Sequence, residues 1–441
     1  MTDLLAARSQ MALSLAFHIL FAVAGMGMPL LMAIAEAAWL RTGDELYREV
    51  AKRWAKGTAI LFAVGAVTGT VLSFELGLLW PGFMRFAGPI LAMPFSMEGF
   101  AFFFEAIFLG VYLYGWDRVP RLAHWGAGIG VLLSGVASAA FVVCANAWMN
   151  NPTGYVVEPD GGLTIDPVAA MFNPGATGEV LHMVMAAFVS IGFLGAGIHA
   201  WYLLRDEANL FHRRGHAIAT LVAVTAALAQ PLTGHVIAEH TAHAQPAKLA
   251  AAEAQWADET WAPVRIGGWP DVEHERTDYA IEVPGLLSVL AFGDPEATVP
   301  GLSRVPLDDR PDVVVVHAAY QVMLGLAMAM AGVAVVAGAL WAKRRHAPRD
   351  RLLLWAQVLL APAGLIAVEA GWTVTEVGRQ PWVIQGVMRT SHAVTPVTGI
   401  SASLVIYAAM YALLGVATLA LLRQQFAAAP VVHPHDDGGA A

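Results

Sequence analysis

Apolar residues in this chain run in long unbroken blocks, not in the two-residue alternation of strands. Nine blocks are long enough to cross a hydrocarbon layer about 30 Å thick, which takes about 20 helical residues. They lie near 11–38, 54–79, 94–115, 124–147, 179–204, 216–236, 312–342, 352–376 and 396–424. Lipid offers backbone N–H and C=O groups no partner, so each block must satisfy its own as a helix. The pattern predicts an all-α, polytopic membrane helix bundle of about nine transmembrane helices.

The connections alternate in charge. Those after blocks 1, 3, 5 and 7, with the C-terminal end, hold 16 of the 25 Lys and Arg residues, and the connection 148–178 holds none. The positive-inside rule then predicts an outside N-terminus and a cytoplasmic C-terminus. Residues 1–236 are expected to form helices one to six, 237–311 one long external loop, 312–425 helices seven to nine, and 426–441 a disordered cytoplasmic tail. Within the loop, "PAKLAAAEAQW" (246–256) reads as a short amphipathic helix at the membrane surface.

Composition narrows this further. The chain is 57% hydrophobic and 13% charged, where a soluble protein carries about a quarter charged residues. The net charge of −9 is concentrated in the loop and tail, and no nucleic-acid partner is expected. Cys144 is the single cysteine, which excludes an intrachain disulfide, a thiolate metal cluster and a CxxCH haem attachment. The first apolar run continues at spanning length, so no cleavable signal peptide is expected.

Ionisable residues inside spans are costly and mark ligands, proton relays or paired charges. The candidates are His18, Glu75, Glu98, Glu105, His182, Glu369 and Glu376, joined by Met323. With the predicted orientation His18, Glu98, His182, Met323 and Glu376, on five different spans, gather in the outer half of the membrane. Glu98 and Glu105, seven residues apart, share one helix face about 10 Å apart in depth. Glu75 and Arg85 read as an ion pair at a helix end, and His235, Glu239, His240 and His243 as a solvated loop cluster without zinc spacing. Imidazole and thioether on separate helices suit a six-coordinate haem iron, while a lone histidine or carboxylate leaves an iron position open. Spacing alone does not choose among a haem-binding oxidase, a haem electron-transfer subunit and a cation transporter built on buried Glu and His.

Several stretches resemble subunit I of the cytochrome bd-type quinol oxidases: "RSQMALSLAFHILF" (8–21), "FSMEGFAFFFEAIFLGVYLYGWDR" (95–118), "CANAWMNNPTG" (144–154), "LHMVMAAFVSIGFLGAG" (181–197), "KLAAAEAQW" (248–256) and "GWTVTEVGRQPW" (371–382). The resemblance implies a terminal oxidase of the bacterial cytoplasmic (inner) membrane that oxidises quinol and reduces O2 to water. It implies two haem b and one haem d, or a third haem b in place of haem d. By it His18 and Glu376 are axial ligands of two high-spin haems, and His182 and Met323 hold the low-spin haem b. Glu98 and Glu105 belong to the proton supply, with Trp372 among the haems and Arg379 beside their propionates. Lys248 and Glu253 belong to quinol oxidation in the Q-loop, here of the short kind. The implied partners are a subunit II, a small single-span subunit, membrane lipid, and quinol and O2 as substrates. One departure stands out: Gln321 occupies a position where the family often has arginine, so the cation there is lost or supplied from elsewhere.

Overall fold

The computed structural model describes residues 2–427 and 430–433. The helices are α1 (Asp3–Thr42), α2 (Glu45–Leu79), α3 (Pro81–Tyr114), α4 (Arg121–Asn150), α5 (Pro167–Met171), α6 (Ala176–Leu203), α7 (Leu210–Ala244), α8 (Pro246–Ala252), α9 (Leu286–Phe292), α10 (Val313–Arg344), α11 (Arg351–Leu359), α12 (Ala363–Gly378), α13 (Thr390–Ala393) and α14 (Ile400–Ala427). Among the described residues nine spans are long and apolar enough to cross a membrane, with α11 and α12 together making the eighth. Each covers all but at most four residues of the block expected for it and most run past it at one end or both, because capping comes from polar residues beyond the apolar stretch. Thr2 caps α1, Asp44 caps α2 and Asn209 caps α7, each accepting a backbone N–H through its side chain.

The eighth span is broken at 360–362. Pro362 has no N–H to donate, and its ring blocks a continuous helix there. Among the described residues, strands occur only as small antiparallel pairs in the connections: 155–157 with 163–165, 264–266 with 281–283, 269–271 with 276–278, and 382–384 with 388–389.

The core is helix on helix. α1 packs on α2, α4, α6 and α14, and α12 packs on α6 and α10. Small residues allow the close approaches: a Cβ on Gly27 would lie 2.5 Å from Ile191, and one on Gly364 2.4 Å from the Ser190 backbone. Two sets of cross-links mark the ends of the bundle. Arg48 pairs with Asp117, and Arg214 with Asp44 at 2.9 Å, which gathers the basic connections at one end. At the other, Gln385 N–H donates to Met149 O at 2.9 Å and Thr395 N–H to Leu79 O at 2.8 Å, beside the long loop.

Four expectations change. The sixth span continues to Ala244, so His235, His240 and His243 are helical and the loop begins at 245. Helix α8 is not a surface helix: Lys248 through Ala252 are all buried, because its polar side chains turn inward to partners described below. Glu75 does not pair with Arg85; it is buried against α1 and accepts from Gln10 Nε2 at 2.7 Å. The tail is helical to Ala427, and Val432 O accepts from Leu210 N–H at 2.8 Å. The remainder of the expected disordered tail lies outside the described residues.

Candidate functional site

At the loop end of α12, Glu376 and Arg379 lie one turn apart on the same face, their side chains joined at 2.5 Å. Glu376 also accepts from Asn146 of α4. Asn150, one turn beyond Asn146, is the hub of this group. Its Oδ1 accepts from Lys248 Nζ at 2.9 Å and from Arg379 at 3.2 Å, and its Nδ2 donates to Asn146 and Glu179, each at 3.3 Å. The Lys248 stem lies against Gly378, where a Cβ would come within 2.8 Å of it. Arg379 is 1% exposed, and its Nε has no partner among the described residues. A guanidinium so placed is suited to a buried anionic group. A cavity of about 140 Å³ lined by Lys248, Arg379, Gln380, Trp382 and Gln385 opens beside it.

His18 sits on α1 facing α2. Its Nδ1 is 2.9 Å from Thr68 Oγ1, whose own proton is directed to the Val64 or Gly65 carbonyl. Thr68 therefore accepts, Nδ1 carries the hydrogen, and Nε2 keeps its lone pair, the orienting contact usual for a metal-bound histidine. His182 on α6 has the same arrangement with Thr233 at 3.2 Å, and Thr233 donates to Gln230 O at 3.0 Å. The Gln230 amide lies 3.2 Å from both ring nitrogens and has to move for Nε2 to bind a metal. Met323 on α10 faces α12.

Glycines clear space at each of these side chains. An added Cβ would lie 3.1 Å from His18 at Gly69, 3.5 Å from His182 at Gly234 and 3.0 Å from Met323 Sδ at Gly371. Trp372, next to Gly371, is half-buried one turn before Glu376. Glu105 is buried on α3, its Oε1 against Gly25 and Gly135; Glu98 lies two turns away on the same face.

The long loop folds back onto the first turns of α10. His317 meets Ala252 O at 2.8 Å and Gly267 O at 3.0 Å; Gln321 donates to Arg265 O at 2.7 Å and accepts from Gly267 N–H at 2.9 Å. Glu253 is 2% exposed and accepts from Tyr320 of α10 and from the Arg265 N–H. Burial pushes its carboxyl up to about 7 against those hydrogen bonds. Burial also pushes the Lys248 ammonium down, with Arg379 adding to the effect and Glu179 and Glu376 opposing it. Lys248 and Glu253, five residues apart, thus face different partners.

The donor set of two oriented imidazoles, a thioether and a half-buried carboxylate beside a guanidinium fits haem. The fold and its relatives decide between the readings that the residues leave open. A model of the family "Cytochrome bd terminal oxidase subunit I" matches residues 6–430. The chain belongs to the cytochrome bd terminal oxidase subunit I family.

A putative cytochrome bd menaquinol oxidase subunit I of Bacillus subtilis is 35% identical over 98% of both chains. The cytochrome bd-II ubiquinol oxidase subunit 1 of Escherichia coli is 29% identical over 95% of both. The structure of bd oxidase from Geobacillus thermodenitrificans matches with a TM-score of 0.91 and 36% identity, covering 97% of this chain and 99% of that one. The protein is a haem-dependent quinol oxidase subunit, an oxidoreductase of the respiratory chain, and works as one subunit of a complex.

Asn146, Asn150, Glu179, His317 and Tyr320 were absent from the sequence reading of the site. Asn150 was legible only as part of "WMNNP", since a neutral residue within a matched motif carries no signal of being a hub. Glu179 sits at the edge of an apolar block, where an acid looks like an ordinary helix end.

Proposed function

We propose that this bd oxidase subunit oxidises quinol at the long-loop face and draws protons for water from the opposite face. Its N-terminus lies outside and its C-terminus in the cytoplasm of a bacterial cell membrane. The observation that carries the reading is the buried Asn146–Asn150–Arg379 cluster around Glu376, which joins a carboxylate ligand to the loop.

His18 and Glu376 would hold the two high-spin haems, and His182 with Met323 the low-spin haem b. The complement is two haem b and one haem d, or a third haem b. When bound, the haems supply the electron transfer and oxygen reduction. Thr68 and Thr233 fix the ring orientation of the two histidines. Arg379 would receive haem propionates, and Trp372, one turn before Glu376, packs on the core that includes α1 and α6.

Glu253, ionised only above about pH 7 and backed by Tyr320 and Arg265, takes a quinol proton at the loop face when ionised. Gln321 holds the Arg265 carbonyl at 2.7 Å, so at this position it ties the loop to α10 where an arginine would carry charge. Lys248 holds the first loop helix to Asn150 and sets the charge beside Glu376, so its effect on quinol oxidation is through position. Glu105 and Glu98 carry protons towards the ligand end. Because quinol protons leave on one side and water's protons arrive from the other, turnover builds membrane potential without a pump. Subunit II, and a small single-span subunit, complete the complex in the lipid.

A reduced-minus-oxidised spectrum of the purified complex, followed by oxygen uptake with a quinol, tests this. Low-spin and high-spin signals with quinol-dependent uptake are expected, and a far-red band identifies haem d. Retention of all haem signals in Glu376→Ala and His18→Ala would overturn the ligand assignment.

A further inference from the structure

The end of the bundle opposite the long loop holds a buried acid–base pair that no part of the site described above uses. His124 Nδ1 of α4 lies 2.7 Å from Glu36 Oε1 of α1, and His124 Nε2 lies 2.9 Å from Tyr112 O of α3. Glu36 is fully buried and His124 is 2% exposed. A carbonyl can only accept, so Nε2 must carry a hydrogen. The one remaining proton is shared between Nδ1 and Oε1, and either position satisfies every hydrogen bond of the pair. The Tyr112 hydroxyl faces the same carboxylate, and neither it nor Glu36 Oε2 is committed to another partner.

Three helix faces align this pair with the acids above it. On α3, Glu98, Glu105 and Tyr112 recur every seven residues. On α1, His18, Gly25 and Glu36 follow at seven and eleven. On α4, His124, Gly128, Gly135 and Asn146 follow at four, seven and eleven. Each interval keeps residues on one helical face. The glycines are where the polar side chains lie: a Cβ would come within 2.7 Å of the Tyr112 ring at Gly128 and 3.2 Å of Glu105 at Gly135.

On the side of the pair away from those acids, Trp116 lies tilted against His124 at 3.9 Å, with Lys52 5.2 Å from the Trp116 ring. Arg48 and Arg121 lie over Trp39, at 5.1 and 4.8 Å. Tyr112 of α3 faces the pair, and the aromatic cap beyond it carries Arg48 and Lys52 from α2 and Arg121 from α4, with Glu45 and Asp117 both paired to Arg48.

We propose that Glu36, His124 and Tyr112 form the proton-loading site that feeds Glu105. The shared proton shifts to Glu36, whose carboxyl passes one proton to the Tyr112 hydroxyl as that hydroxyl releases its own, and a solvent proton then refills the vacated Nδ1 of His124. Water carries it over the roughly 10 Å of α3 between Tyr112 and Glu105. No charge accumulates, since each group gains one proton and loses one. Basic side chains above the aromatic cap keep other cations out while protons move by exchange.

This rests on the proposed direction of proton supply, so the experiment separates the two. Glu36→Gln, Tyr112→Phe and Glu105→Gln are prepared as whole complexes in proteoliposomes and given a soluble ubiquinol analogue. Readouts are haem spectra, the rate of anaerobic haem reduction by the quinol, aerobic oxygen uptake and its slowing in D2O. Glu36→Gln and Tyr112→Phe are expected to keep the spectra and the anaerobic rate, lower oxygen uptake about tenfold (about 1.4 kcal/mol) and show a larger D2O effect. Loss of uptake in Glu105→Gln with wild-type uptake in the other two would overturn the loading site and leave the wider reading standing. Wild-type uptake in Glu105→Gln would overturn both. If Glu36→Gln loses its haems, Tyr112→Phe decides, because it keeps the ring that packs on Gly128.

Discussion

Glu253 offers the most direct test of how the loop handles quinol protons. Burial raises its carboxyl from the ordinary 4.5 to about 7, which at 1.36 kcal/mol per unit disfavours the ionised form by roughly 3 kcal/mol. The sign follows from proton counting. Between 4.5 and 7 the unfolded chain has released this proton while the folded loop still holds it. The loop therefore loses about 3 kcal/mol of stability as pH rises through that window, and nothing further above it. Catalysis runs the other way: only the ionised carboxylate accepts a proton, so quinol oxidation should rise with pH and level off above about 7. Glu253→Gln keeps shape and hydrogen bonds but cannot accept the proton. It is expected to lower the quinol-driven rate of haem reduction by at least about tenfold and to remove the rise, while the Q-loop gains heat stability at neutral pH. Stopped-flow haem reduction from pH 5.5 to 8.5 (about that range) provides the measurement. An unchanged rise in Glu253→Gln would refute the assignment of the proton to this group.

Three further outcomes follow from the geometry. Gly371→Ala places a Cβ 3.0 Å from Met323 Sδ, so the low-spin absorption band should shift or weaken while the high-spin signals remain, as read in a difference spectrum. Asn150→Ala removes the shared acceptor of Lys248 and Arg379; losing charged hydrogen bonds in a buried site should cost about 2–4 kcal/mol, seen as a lower thermal midpoint together with altered high-spin signals. Gln321→Ala releases the Arg265–Gly267 turn from α10 and should raise the quinol KM with little change in the spectra.

The loop helix α8 shows how a pattern misleads when both its faces are covered. In "PAKLAAAEAQW" the lysine and glutamate looked like a wet edge on a membrane surface. The fold buries them in different places, Lys248 with Asn150 and Glu253 with Tyr320, because α4 and α10 each bring one polar group to that depth. Glu75 and Arg85 looked like neighbours by helix ends, yet Gln10 of α1 and Ser403 of α14 complete the chain on Glu75's side. Glu36 and His124 were readable in principle as ionisable residues within apolar blocks, but each alone resembled the end of a span.

Much was determined by the sequence alone. Block length forced helices, since backbone groups in lipid can bond only within their own segment, and the alternation of basic connections set the expected sidedness. Motif stretches were long enough to carry the family and to single out His18, His182 and Glu376 as candidate ligands, with Met323 a candidate outside those stretches. Which polar groups complete one another was decided by tertiary structure. A hydrogen-bond hub such as Asn150 joins α4, α6, α8 and α12. No single-chain period records such a meeting, because it depends on helix rotation and depth, and those are set by how glycines and small residues let the spans close on each other.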